Sequence, residues 1–314
     1  MLGMGGIRYS VRMKAERYSF KEFNRQFPDD AACLDYIFDQ RHPDGGTCVT
    51  CGKKDTFYRV ETRRCYSCAN CGNQIHPCEG TIFHKSSTSL KTWFHVMFLM
   101  TASKNGVSAK EIERQTGVTY KTAWRMAHQV RKLMTQGGNL LSGVVEADET
   151  YVGGKAANMH AAERAKKIRG TGAKAGNKVA VMGVVERGGE VRAHVVPAVT
   201  RVTAMAHTSD MVETGAIICT DEHSAYDILT GAGYDHHRIA HGKGEYVRAS
   251  VHTNSIEGFW SQLKRSINGT FHQVSPRYLQ AYVDEFAFRY NRRASVTEAP
   301  IFPRLVERAG EQRA

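Results

Sequence analysis

Ala216-Ile-Ile-Cys-Thr-Asp221 is an apolar run that ends in a carboxylate, and Gly143-Val-Val-Glu-Ala-Asp148 has the same form earlier in the chain. Such runs are typical of buried strands, which deliver an acid to the edge of a sheet. A third acid, Glu257, lies in Asn254-Ser-Ile-Glu-Gly-Phe-Trp-Ser-Gln-Leu-Lys-Arg265, which has the apolar periodicity of a helix. Three carboxylates on separate elements suit two Mg²⁺ (or Mn²⁺) ions, because hard cations take oxygen ligands and a two-metal site stabilises both reacting oxygens at a phosphorus. The three acids therefore predict phosphodiester chemistry on nucleic acid.

The segments around these acids predict a mixed sheet covered by helices. Residues 179–185 and 191–197 are rich in valine and flank a glycine-containing turn, which is the pattern of a hairpin. A helix is expected over residues 203–214, and a further short strand over 237–240. Together with the two strands that end in aspartate, this order of elements predicts an α/β domain with helical layers on a mixed sheet.

The charge balance agrees with a nucleic-acid partner. The chain has 314 residues, of which 43 are Lys or Arg and 31 are Asp or Glu, so its formal net charge is +12. A surplus of this size favours association with polyanions, although it does not report on the fold. The longest apolar stretch, Trp93–Ala102, is far shorter than the ~20 residues that span a bilayer, and no secretion signal is recognised. We therefore expect a cytoplasmic protein with no membrane partner.

Six of the eight cysteines lie between residues 48 and 78. Cys48-x2-Cys51 and Cys68-x2-Cys71 have the spacing of a four-thiolate zinc site, and a glycine follows each pair where the backbone curls around the metal. Cys65-x2-Cys68 is an alternative second pair, but alanine follows Cys68, so the glycines favour Cys68 with Cys71. The four thiolates predict one structural Zn²⁺ in a zinc ribbon, and a cytosolic location disfavours the alternative of a disulfide scaffold. The remaining cysteines are expected to be packing thiols, namely Cys33, Cys65, Cys78 and Cys219.

A helix-turn-helix is predicted downstream of the ribbon. Ser108-Ala-Lys-Glu111 is a capping box, Gly117-Val-Thr119 makes a turn, and Tyr120–Met134 is a basic helix. On this second helix Ala123, Ala127 and Val130 are expected to pack inward. The residues expected to face a DNA major groove are Lys121, Thr122, Arg125 and His128. The alternative is an ordinary helical hairpin whose basic face is solvated.

Paired glycines at Gln136-Gly-Gly-Asn139 mark the boundary between the two halves of the chain. The predicted organisation is N-terminal helices over 1–40, the zinc ribbon over 41–85, the helix-turn-helix region over 86–138, the catalytic domain over 139–300 and a C-terminal tail over 301–314.

The layout resembles one group of bacterial insertion-sequence transposases, which combine an N-terminal zinc ribbon, a helix-turn-helix linker and a ribonuclease-H-like DDE catalytic domain. The likeness extends over about residues 20–295. It is carried by the two C-x2-C-G knuckles together with Phe27-Pro28, Cys33-Leu34, Gly80-Thr-Ile-Phe83, Asp148-Glu-Thr-Tyr-Val-Gly-Gly154, His252-Thr-Asn-Ser-Ile-Glu-Gly258, Leu263-Lys-Arg265 and Glu285-Phe-Ala-Phe-Arg-Tyr-Asn291.

The resemblance implies roles for particular residues. Asp148, Asp221 and Glu257 are expected to bind two catalytic Mg²⁺ (or Mn²⁺) ions, and Lys264, seven residues after the glutamate, to contact DNA near the active site. The adjacent Arg265 is assigned to DNA binding as well. The partners implied are double-stranded DNA, as element ends and as target, and further copies of the chain, at least a dimer on DNA. The location implied is the bacterial cytoplasm, at the nucleoid.

The identity of the third metal ligand stays open between two residues. In this group of transposases asparagine can replace the glutamate, and Asn254 lies one turn before Glu257. Asn254-Ser-Ile-Glu257 is itself a capping box, with Asn254 as N-cap, which gives Glu257 a structural alternative. Asp148 also has competitors in Glu146, on the same strand face, and in Glu149.

The predicted function is metal-dependent DNA cleavage at the ends of an insertion sequence, followed by transfer of the freed strand into target DNA. Water attacks the phosphodiester, and the released 3′-hydroxyl then attacks the target, so no covalent protein–DNA intermediate is needed. Two other classes remain: a DNA-binding regulator whose second half only dimerises, and a ribonuclease-H-like nuclease that cuts without joining.

Overall fold

The computed structural model describes residues 18–154, 160–162, 164, 178–239, 252–293 and 300–311. In these residues the helices are α1 (Phe20–Gln26), α2 (Asp30–Arg41), α3 (Leu90–Ala102), α4 (Ala109–Thr116), α5 (Tyr120–Lys132), α6 (Arg201–Ser209), α7 (Asn254–Ser266), α8 (Leu279–Asn291) and α9 (Ile301–Glu311). The strands are β1 (Phe57–Arg59), β2 (Tyr66–Cys68), β3 (Gln74–Ile75), β4 (Val144–Val152), β5 (Val179–Glu186), β6 (Val191–Val196), β7 (Ile217–Thr220) and β8 (Asp235–Arg238). Short 3₁₀ helices cover Ser224–Gly231 and Pro276–Tyr278, and a π-helical turn covers Ile267–Phe271.

The larger sheet has five strands in the order β6-β5-β4-β7-β8. Its first three strands in sequence are antiparallel neighbours, whereas β7 and β8 join it in parallel. This confirms the predicted mixed α/β sheet of ribonuclease-H-like type. β8 begins two residues before the predicted strand, at Asp235.

Successive residues of β4 point to opposite faces of the sheet, and each face has its own helical layer. Val145 and Ala147 join a core that includes residues of α6 and of the 3₁₀ helix at Ser224–Gly231. The other face packs against α7 and α8. Glu146 and Asp148 face α7, because both contact residues of that helix.

The outer edge of β6 is closed by side-chain amides. Asn291 of α8 exchanges two hydrogen bonds with the backbone of Val191, and Gln136 does the same with Ala193. Gln280 accepts the N–H of Val195. Edge strands with free backbone groups invite pairing with other chains, so these amides protect the sheet.

The N-terminal helices share one core with the C-terminal segment. α2, α3 and α5 contribute to this core, and so does α9. Residues 301–314, expected to be a tail, therefore contain a packed helix. Its apolar residues recur at helical spacing and are buried, namely Phe302, Leu305, Val306 and Ala309.

α4 and α5 are two helices joined by a short turn, at the place where the sequence predicts a helix-turn-helix. α4 ends at Gly117, whose positive φ of 72° suits glycine, and Thr119 caps α5 after a three-residue connection. Ala123, Ala127 and Val130 are buried, which confirms the predicted inward face. Among the helices that the structure describes, none is long and apolar enough to cross a membrane.

Candidate active site and DNA-facing surface

Two of the three acids expected to bind metal are brought together by the parallel pairing of β4 with β7. Glu146 pairs with Cys219 in this register, so two residues further along each strand Asp148 lies beside Asp221. Asp148, Asp221 and Glu149 each offer a carboxylate oxygen, and these oxygens all lie within 4.8 Å of one another. Glu149, which the sequence leaves open as a competitor of Asp148, therefore belongs to the same acidic group.

Burial and neighbouring charges raise the pKa of two of these carboxylates. Burial, together with the charges of Glu149 and Asp221, raises the pKa of Asp148 to about 7. Burial and the charge of Asp221 also raise the pKa of Glu149. Like charges this close disfavour each other's ionised form, and a divalent cation would relieve that repulsion. The donor set consists of carboxylate oxygens, which is the chemistry that Mg²⁺ or Mn²⁺ requires.

Neighbouring side chains hold these acids in place. The indole N–H of Trp260 in α7 donates to Asp148 Oδ2 at 3.0 Å. The backbone N–H of His223 donates to Asp221 Oδ1 at 3.0 Å. The buried Tyr226 hydroxyl donates to Glu149 Oε2 at 3.0 Å. No polar role is expected for Trp260 from the sequence, although its position three residues after Glu257 places it on the adjoining turn of the helix.

Glu257 lies on α7 one turn before Trp260, but it is outside the acidic group that the structure assembles from its described residues. Its carboxylate accepts a hydrogen bond of 2.9 Å from the hydroxyl of Thr253. Thr253 is the N-cap of α7, so the expected capping box with Asn254 as N-cap is wrong. Asn254 and Glu257 are both exposed in the first turn of the helix.

Glu146 does not compete with Asp148 for a metal, because its oxygens are already engaged. Its side chain is fully buried, and it accepts the N–H groups of Ser255 at 2.7 Å and Ile256 at 3.1 Å. The guanidinium of Arg187 donates to it at 2.8 Å. The helix start is therefore capped from β4, which explains why the local cap expected from Asn254 is not formed.

The four predicted zinc ligands converge at the N-terminal ribbon. The sulfurs of Cys48, Cys51, Cys68 and Cys71 lie within 4.8 Å of one another. Gly52 and Gly72 follow the two pairs with positive φ angles of 70° and 75°. Cys65 is buried outside this group, so the structure selects the register that the glycines favour. A hydrogen bond with the Thr56 hydroxyl is the largest influence that lowers the pKa of Cys68 to about 6, whereas side-chain hydrogen bonds with the other three cysteines raise that of Cys71 to about 12, so the convergence of the four sulfurs is the stronger support for zinc.

The exposed face of α5 differs in part from the predicted one. Lys121 and Arg125 are exposed and Thr122 is half-buried, but His128 packs against Trp124 and Tyr278. Burial lowers the pKa of His128 to about 4, so its ring stays neutral at pH 7. His128 therefore does not share the exposed side of α5 with Lys121 and Arg125, since its own side contacts the segment leading into α8.

Three further basic residues are exposed, one on α5 and two on α7. Lys132 lies eleven residues, or about three helical turns, after Lys121, so both occupy the same side of α5. On α7, Lys264 and Arg265 are exposed, and Arg265 donates to the Ser261 hydroxyl at 3.1 Å.

Comparisons with known proteins agree with this architecture. Residues 140–291 match the family model of the ISXO2-like transposase domain, and residues 28–74 match that of the transposase zinc-ribbon domain. An uncharacterised protein in transposable element ISH50 of Halobacterium salinarum is 27% identical over 276 residues, which cover 84% of this chain and 92% of that protein. A chain in the cryo-EM structure of the simian T-cell lymphotropic virus intasome, in complex with PP2A regulatory subunit B56 gamma, is 14% identical. The alignment covers 62% of this chain and 65% of that one with a TM-score of 0.29, too low to support a conclusion.

Proposed function

Because the chain belongs to the family of transposases that combine a zinc ribbon with an ISXO2-like transposase domain, we propose that it cleaves DNA at the ends of an insertion sequence and joins the freed strand to target DNA. The observation that carries this proposal is the meeting of Asp148 and Asp221 on neighbouring parallel strands, beside α7. DNA is the partner that the family implies, and the positive net charge of +12 suits it.

Asp148 and Asp221 would hold two divalent cations, Mg²⁺ or Mn²⁺, with Glu257 as the third protein ligand. Glu149 is the alternative third carboxylate because it already lies with the two aspartates, and Asn254 remains the other candidate. When bound, such ions stabilise the attacking and the leaving oxygen of a phosphodiester.

The protein's own contribution is to fix the acids and to hold DNA. Trp260 and the backbone N–H of His223 orient the two aspartates before any ligand arrives, and such preorganisation avoids reorganisation during the reaction. Lys264 and Arg265 project from the helix that contacts Asp148, so they would bind phosphates next to the reacting bond. Since the reacting oxygens come from water and from DNA, no protein side chain serves as nucleophile.

The N-terminal half would bind the element end. One Zn²⁺ on the four cysteines would hold the ribbon together, and the exposed face of α5 (Lys121, Thr122, Arg125 and Lys132) would contact double-stranded DNA. Both ends of the insertion sequence must take part in one reaction, so we propose that the protein acts on DNA as at least a dimer. The proposed site of action is the cytoplasm, at the nucleoid, where the DNA substrate would lie.

The test compares Asp221→Asn with Glu222→Gln, a matched control at the exposed neighbouring acid. With Mg²⁺ and labelled element-end DNA, Asp221→Asn should abolish cleavage and joining, while end binding measured by fluorescence anisotropy is retained. Glu222→Gln should cleave normally. Cleavage by Asp221→Asn would overturn the proposal, and a protein that cuts but never joins would be a nuclease. If even the unaltered protein binds without cutting, it is a regulator.

A further inference from the structure

Glu146 is a fully buried carboxylate on β4, two residues before Asp148 and on the same face of the sheet. A buried charge is costly unless it is paired and hydrogen-bonded. The contacts of Glu146 described above come from the start of α7 and from Arg187, which follows β5. The cost of burying this charge is therefore offset by connections between elements that lie far apart in sequence.

The first connection caps α7. The first N–H groups of any helix have no partner within it, and the positive end of the helix dipole favours an anion. Thr253, the N-cap, makes no side-chain capping bond. Instead Ser255 and Ile256 donate their N–H groups to Glu146 Oε2 at 2.7 and 3.1 Å, and the Ser255 hydroxyl donates to Oε1 at 3.0 Å.

The second connection runs through Arg187. Its Nε donates to Glu146 Oε1 at 2.8 Å, and one of its terminal nitrogens donates to the carbonyl of His252 at 2.8 Å. His252 Nδ1 itself lies 3.1 Å from Glu146 Oε1. The segment leading into α7 is thus held by Arg187, whose guanidinium is itself paired with Glu146.

These contacts fix where the first turn of α7 lies relative to the strand that carries Asp148. Glu257 belongs to that turn, and the next turn carries Trp260, which donates to Asp148. We propose that Glu146 is a positioning residue, which holds the start of α7 against β4 so that Glu257 and Asp148 can bind a divalent cation together. This inference rests on the proposed function, in which Glu257 is the third ligand.

The test is a double-mutant cycle read by Mn²⁺ binding, measured by isothermal titration calorimetry without DNA. Glu146→Gln keeps the size of the side chain but removes its charge, so the cap and the pairing with Arg187 weaken. Loss of an orienting partner lowers metal affinity by about 10- to 100-fold, and we expect a fall in this range. In a Glu257→Gln background the same change should have no further effect, because the residue that Glu146 positions no longer binds metal. Glu186→Gln on the neighbouring strand is the matched control and should bind Mn²⁺ normally.

The other possible outcomes would contradict either this inference or the proposed function. If Glu146→Gln lowers Mn²⁺ affinity equally in the unaltered protein and in Glu257→Gln, Glu146 supports the aspartates or the fold in general. If it does not lower Mn²⁺ affinity in either, Glu146 is not a positioning residue. If Glu257→Gln binds Mn²⁺ normally while Asp221→Asn does not, this inference fails but the proposed function stands. If Asp221→Asn also binds normally, the proposed function fails. Should Glu146→Gln not fold, Ser255→Ala removes one of the hydrogen bonds to Glu146 and should give a smaller fall that is again absent beside Glu257→Gln.

Discussion

The surroundings of Asp148 disfavour its ionised form in the metal-free protein. Its pKa rises from 3.8 to about 7 because the carboxylate is buried beside Glu149 and Asp221. The native state therefore keeps this proton to a higher pH than the unfolded chain does. The stabilisation from the protonated form is complete below pH 3.8 and is lost as the pH rises through 7.

Asp148→Asn should consequently stabilise the metal-free protein at pH 8 but not at pH 3.8, where the native carboxyl is already neutral. Each pKa unit corresponds to about 1.4 kcal/mol, so the gain at pH 8 should be on the order of 2–4 kcal/mol in the free energy of unfolding. Urea unfolding in EDTA at the two pH values measures it, with the exposed Asp235→Asn as control. An equal gain at both pH values would show that ionisation of the buried carboxylate is not its cause.

At the scale of elements, the sequence predicts correctly those strands and turns that depend on contacts between residues close together in the chain. β4 and β7 follow from apolar runs that end in aspartate, and the zinc register follows from the glycines after Cys51 and Cys71. The start of α7 could not be read in this way, because its cap comes from Glu146, 109 residues before Ser255. The periodicity of α5 shows that its sides differ, but only packing shows that His128 contacts Tyr278.

The exposed side of α5 and the side that carries His128 should respond differently to mutation. Arg125→Ala and Lys132→Ala should weaken binding to element-end DNA and lower its dependence on salt by roughly one unit of slope for each phosphate that is no longer neutralised. His128→Gln should leave the salt dependence unchanged, because its ring faces Trp124 and Tyr278. Anisotropy titrations over a range of salt concentrations measure this. If His128→Gln alone lowers the salt dependence of DNA binding, His128 belongs to the DNA-facing surface after all.

At the scale of the whole molecule, a buried charge cluster joins the N-terminal helices α3 and α5 to α8, which packs on the larger sheet. Glu285 of α8 is fully buried and binds Arg131 of α5 at 2.7 Å and Arg289 at 2.7 Å. Arg289 also donates to the carbonyls of Met100 and Ser103, at the end of α3. α5 is thereby fixed relative to the sheet that carries the acids.

Glu285→Gln should therefore lower the free energy of unfolding and slow DNA cleavage while DNA binding is retained. Removing one partner of a buried pair leaves an uncompensated charge and costs about 3–5 kcal/mol, whereas Glu307→Gln, which breaks the exposed pair with Arg304, should cost below ~1 kcal/mol. Urea unfolding measures both. At a temperature where the variant is folded, Glu285→Gln should still bind element-end DNA yet cleave it more slowly, because α5 no longer presents DNA to Asp148 and Asp221 in a fixed position. If cleavage per folded molecule is unchanged, the cluster stabilises the interface without aligning the DNA.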